Sequence, residues 1–209
     1  MRWLGRAQAL AAKVSETWAG AIAAATSVKL QLDPWSVRDR ANAVLYRALA
    51  YVELDAPIQQ QGTFIKAGND LDALAGAAKI LKTALGSVWI IDPYMDETVL
   101  TDYAVLANEG IFVQLLSDAA TVKASFEPAV RRFQQQFGGD RPLEARLTSK
   151  GKLHDRLVFI DEHDVFTVTQ SLRDLAKRSH ASIIRIDPEL GRLKISAYEQ
   201  FWNGAIPVG

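Results

Sequence analysis

The stretch Lys152-Leu-His-Asp-Arg-Leu-Val-Phe-Ile-Asp161, followed by Val165-Phe-Thr-Val-Thr-Gln-Ser171-Leu-Arg-Asp174, decides how this chain is read. Residues 157–160 and 165–168 are rich in β-branched and aromatic side chains. The polar residues 161–164 between them form a compact turn, so the pair reads as an antiparallel hairpin. Alternate strand residues share a face, which puts His154 and Arg156 together, roughly 6–7 Å apart, and Asp155 and Asp161 on the opposite side. An imidazole that can attack phosphorus, beside a guanidinium that can hold phosphate oxygens, is a phosphate-handling pair. Ser171 follows the return strand, and with Asp174 three residues on it has the spacing of a capping box. That predicts a helix from Leu172 whose free N–H groups offer an anion site.

Working upstream, residues 63–67 read as a strand and 70–85 as an amphipathic helix closed by Gly86. Residues 87–91 (Ser-Val-Trp-Ile-Ile) are a short apolar run of the kind buried on both faces of a sheet. A helix over 96–108, a strand over 111–116, a helix over 120–137 and a strand over 143–147 continue the alternation. The pattern predicts an α/β fold over residues 63–209, a layered α/β/α sandwich around a mostly parallel mixed sheet. Asp92 and Tyr94 follow the apolar strand, where open α/β sheets place ligands; a proline-containing helix-entry turn is the plainer reading. Residues 1–55 carry apolar side chains at helical spacing, with Asp33-Pro34 as a cap between two stripes. They predict an N-terminal helical hairpin, without chemistry of its own, that docks on the main domain or on another protein.

Composition narrows the function. The chain has 209 residues, 49% apolar and 23% charged, enough for a globular fold that needs no metal or disulfide staple. Lys+Arg and Asp+Glu both number 24, so there is no global positive field. Basic residues modestly outnumber acidic ones between positions 146 and 194, which suits a local anionic site. The absence of cysteine removes disulfides, thiolate zinc sites, iron–sulfur clusters and cysteine nucleophiles. There is no glycine-rich phosphate loop, no Gly-x-Ser-x-Gly elbow and no His-Glu-x-x-His pair. His163 reads as a surface residue of the hairpin turn and His180 as a structural or surface residue. No carboxylate cluster has ligand spacing, so neither a metal nor a cofactor is expected. Arg6, Gln8, Lys13 and Glu16 interrupt the alanine-rich start, which reads as a cytoplasmic helix and not as an export signal or membrane anchor.

His154-x-Arg156-x-x-x-x-Asp161 resembles the His-x-Lys-x-x-x-x-Asp signature of the phospholipase D superfamily, with arginine in the lysine position. The segment from Thr169 through Ser171 to Asp174 resembles that family's downstream Gly-x-Ser-x-x-Asp element, with threonine for glycine. The resemblance implies a histidine nucleophile that forms a phosphohistidine without a metal, and a second histidine that protonates the leaving group. His154, Arg156 and Asp161 are then the candidate catalytic residues, with Asp161 orienting its neighbours or closing the turn and not touching substrate. Ser171 and Lys152 are the candidate substrate-binding residues. A single signature copy implies a homodimer, in which each chain supplies one histidine across a two-fold axis. The implied activity is a metal-independent phosphodiesterase, with nucleic acid ahead of lipid as substrate; some small relatives sit in bacterial defence. The rival reading is a catalytically inactive module that binds nucleic acid, or a partner protein through residues 1–55.

Overall fold

The computed structural model divides the chain into two units, Met1–Pro57 and Ile58–Gly209. It describes residues 62–209 of the second unit and only residues 17, 20, 21, 23, 24 and 42–44 of the first. The helical hairpin expected over residues 1–55 therefore lies outside the described residues.

Eight strands form one sheet among the described residues: β1 (Thr63–Ile65), β2 (Ser87–Ile91), β3 (Phe112–Asp118), β4 (Leu143–Thr148), β5 (Leu157–Ile160), β6 (Asp164–Val168), β7 (Ala181–Arg185) and β8 (Ile206–Val208). Their order is β1-β7-β6-β5-β2-β3-β4-β8. Three α-helices flank it: α1 (Asp70–Leu81), α2 (Phe126–Phe137) and α3 (Pro188–Asn203). The layered α/β class is as expected, with one correction to the sheet. Parallel pairing is confined to β2–β3 and β3–β4. The other pairings are antiparallel, because β5 turns straight back into β6 and β7, and β1 and β8 pair antiparallel at the two edges.

The central strands have an apolar residue at nearly every position because both faces are covered. Val88, Ile90, Leu115, Val158 and Ile160 pack on one side with Ile80 of α1 and Phe126 and Val130 of α2. Trp89, Ile91, Leu116, Leu157 and Phe159 pack on the other with Ile195, Tyr198 and Trp202 of α3. Leu115 and Leu116 are adjacent and both 0% exposed, which only a strand covered on two sides allows. Each such side chain contributes about 1.5–3 kcal/mol of burial. Pro188 begins α3, and the Asp187 side chain accepts from the N–H groups of Glu189 and Leu190, a regular N-cap.

Several elements end where side chains take backbone groups that a helix would have used. The helix expected over 70–85 stops at Leu81, because the Asp161 carboxylate accepts the N–H groups of Leu85, Gly86 and Ser87. The helix expected over 120–137 begins at Phe126. Pro128 belongs in a first turn and not in a helix interior, and the Lys123 N–H goes to the Met95 carbonyl. Residues 96–108 form one wide turn, Val99–Tyr103, and one tight turn, Ala104–Leu106, in place of a regular helix. The Arg141 guanidinium takes the carbonyls of Val105 and Ala107, and the Tyr103 hydroxyl donates to the Leu172 carbonyl at 2.9 Å. No helix among the described residues is long and apolar enough to cross a membrane.

Candidate active site

Register brings three segments to one end of the sheet. Ile91 at the end of β2 pairs with Leu157 at the start of β5, and Leu157 pairs with Thr167 near the end of β6. The Val168 N–H donates to the Arg156 carbonyl at 2.9 Å. Asp92 and Tyr94, Arg156, and residues 169–171 are consequently neighbours, although they are far apart in the chain.

Asp92 is the buried hub of this end, 1% exposed. Its Oδ2 accepts from the Ser171 hydroxyl and the Leu172 N–H, each at 2.8 Å, and its Oδ1 accepts from the Tyr94 N–H at 2.9 Å. Burial pushes its pKa above the usual carboxylate value, against the opposing pull of those donors and of the Arg156 charge. The Arg156 guanidinium lies 5.2 Å from the centre of the Tyr94 ring, a cation–π contact. Its Nε is buried without a hydrogen-bond partner, and Arg156 makes no ion pair among the described residues. Arg156 and Ser171 open onto a cleft of about 540 Å³, with Tyr94, Arg173, Asp174 and Arg178 also on its wall.

Two expectations about Ser171 and Asp174 are corrected here. The segment after Ser171 is a single tight turn, Leu172–Asp174, and not a helix. Ser171 makes no capping bond; its hydroxyl proton is directed inward to Asp92. The Asp174 side chain pairs with Arg173 instead of capping a helix.

His154 is exposed and sits in the segment leading into β5, which begins only at Leu157. The strand-alternation argument for His154 and Arg156 therefore does not apply, because residues 151–153 are bonded to a side chain and strand pairing begins only at the Arg156 carbonyl. Asp118 is responsible. This 1% exposed carboxylate, at the end of β3, accepts N–H groups from Gly151 (3.0 Å), Lys152 (2.7 Å) and Leu153 (3.2 Å). Burial works to raise its pKa, but these donors and the Ala120 N–H outweigh that and hold it below the usual value. Leu153 is buried under α3, and the Asp155 carboxylate accepts from the Lys194 ammonium at 2.5 Å. With both neighbours tied down, His154 is left facing solvent.

Neither His154 nor Lys152 is part of the cleft wall, and Lys152 is exposed. Asp161 is not brought to this end at all. It lies past the far end of β5, where it holds residues 85–87 and closes the hairpin turn with a positive φ of 52°. Three backbone donors outweigh the effect of its burial and keep its pKa low. His180 accepts the Ala67 N–H through Nδ1 at 3.0 Å and packs on Phe64, a structural role. Among the described residues no group of three or more His, Asp or Glu side chains is placed to hold a metal ion. Sequence reading passed over Asp118, Arg173 and Arg178. Asp118 closes an apolar strand beside β2, one residue beyond Ser117, whose hydroxyl donates to the Asp92 carbonyl at 2.8 Å.

The eight-stranded mixed sheet covered on both faces has the fold of solved phospholipase D family members. Among solved structures, the phospholipase D family member Nuc from Salmonella typhimurium aligns with a TM-score of 0.53 at 13% identity, over 70% of this chain and 98% of its own. NucT from Helicobacter pylori aligns with the same score and coverage at 15% identity. No family model and no curated protein matches the chain by sequence.

Proposed function

We propose that this chain is a metal-independent phosphodiesterase of the phospholipase D type, acting on nucleic acid through a phosphohistidine. One observation carries the reading. A guanidinium that makes no ion pair among the described residues, that of Arg156, opens onto a cleft two residues from an exposed histidine held on both sides. The His154 imidazole attacks phosphorus, the bond to the leaving oxygen breaks, and Arg156 stabilises the non-bridging oxygens. His154 of the partner subunit gives its proton to the leaving oxygen. Water then attacks the phosphohistidine, passes a proton back to that second imidazole and releases the first. Ser171 has its hydroxyl proton on Asp92, so its part is to hold the buried Asp92 carboxylate and not to donate to phosphate. Lys152 contributes charge at the approach.

The test is cleavage of plasmid DNA and of bis(p-nitrophenyl) phosphate in the presence of EDTA. Activity should persist in chelator and fall roughly 10³-fold or more in His154→Ala. Loss of activity in EDTA, or an unaffected variant, rejects the mechanism. The rival reading, a binding module without turnover, is favoured by the absence of His154 from the cleft wall. It predicts DNA binding with no cleavage under any condition.

A further inference from the structure

The cleft is larger than one phosphate needs, and its chemistry is one-sided. Its volume of about 540 Å³ falls within the range that holds drug-sized molecules. Apart from the Tyr94 ring, every side chain on its wall is polar or charged. Three arginines line it, Arg156, Arg173 and Arg178, against one acidic residue at the wall, Asp174. That carboxylate is already engaged by Arg173, which also lies 4.0 Å from Asp96. Arg178 makes no ion pair among the described residues.

The loop that presents Arg178 is built and not slack. The Gln170 side-chain amide donates to the Ser179 carbonyl (3.0 Å), the Ser179 hydroxyl (2.7 Å) and the His180 carbonyl (2.8 Å). Its carbonyl accepts the Ala176 N–H at 3.1 Å, so one side chain spans both ends of the loop. Ala176 holds a positive φ of 58°, and its carbonyl accepts the Gly68 N–H at 2.8 Å.

We infer that Arg178 and Arg173 form a second phosphate subsite beside Arg156, which holds the phosphate next to the scissile one in a single nucleic-acid strand. The inference rests on the phosphodiesterase reading for the word scissile, and on the cleft alone for the binding. Asp174 competes with that second phosphate for Arg173, so the subsite accepts a phosphate once the carboxylate has given way. A chain of phosphates at regular spacing meets both subsites; a lipid headgroup offers one phosphodiester to the same wall.

The experiment measures binding of a fluorescein-labelled ten-nucleotide oligothymidylate to the His154→Ala protein by anisotropy, across a series of NaCl concentrations. Arg178→Ala should weaken binding and lower the slope of log K against log salt by about 0.7, the loss of one single-strand phosphate contact. Arg178→Lys should keep most of the slope, and Asp174→Asn should tighten binding. An unchanged slope in Arg178→Ala overturns the subsite, as does binding to phosphatidylglycerol vesicles as tight as to the oligonucleotide. Turnover of bis(p-nitrophenyl) phosphate, which has one phosphate, is measured in parallel on the unsubstituted protein. Turnover with an unchanged Arg178→Ala slope sinks the subsite alone. A lowered slope without turnover sinks the catalytic reading and leaves the subsite standing.

Discussion

Ser171 and Asp92 lie 79 positions apart in the chain and share a proton at 2.8 Å in a buried setting. Removing the hydroxyl leaves a buried carboxylate with one donor fewer, and an unmet buried polar group costs about 1–3 kcal/mol. Ser171→Ala should therefore lower the unfolding free energy by that amount, seen as a lower urea midpoint at an unchanged m-value by circular dichroism. Ser171→Thr keeps the hydroxyl and should recover part of the loss. Arg156→Lys tests a different property of the same end: the lysine restores the family's point charge but gives up the planar guanidinium stacked on Tyr94. If the proposed mechanism holds, turnover survives this change while His154→Ala does not.

At the scale of elements, two aspartates fasten segments that the sheet itself leaves loose. Asp161 ties the end of α1 to the hairpin turn through three N–H groups, and Asp118 ties the approach to β5 through three more. Both carboxyls are held below the ordinary aspartate value of 3.8. A depressed folded-state pKa stabilises the fold fully above the unfolded value and loses that contribution as pH falls through the folded one. Unfolding free energy should therefore decline below about pH 4. Asp118→Asn and Asp161→Asn should each flatten that acid limb. Asp92, raised by burial, has the opposite sign: its contribution is greatest below 3.8 and lessens as pH rises through its folded value. The two fasteners differ in function. Asp118→Asn should reduce both stability and activity because it frees the segment carrying His154, whereas Asp161→Asn should affect stability with much less effect on activity.

For the whole molecule, one chain supplies one copy of the His-x-Arg segment, and the proposed mechanism needs two imidazoles. Specific activity should fall on dilution below the dimer dissociation constant, and light scattering should show twice the chain mass wherever the protein is active. Mixing His154→Ala protein with wild type under exchange conditions should lower activity more than dilution by an inert protein does. A strict monomer that retains full activity would remove the partner histidine from the mechanism.

Much of this was legible from side-chain pattern. The runs at 87–91, 157–160 and 165–168 are apolar at consecutive positions and short, which fixed them as buried strands. His154, Arg156 and Ser171 were singled out by residue type and spacing alone. What the pattern could not reach were β7, α3 and β8, the ends of α1 and α2, the roles of Asp92 and Asp118, and the hold of Asp161 on residues 85–87. The reason is physical: periodicity reports which face of a segment is buried, a local property. A carboxylate accepting N–H groups from residues 34 or 76 positions away leaves no periodic trace. The sequence by itself determined most of the strands and helices and the residues proposed to handle phosphate. Only the tertiary structure decided that Asp161 belongs to the far end of the sheet, that Ser171 bonds inward, and that Arg173 and Arg178 join Arg156 around one cleft, because strand register alone sets which loop ends meet.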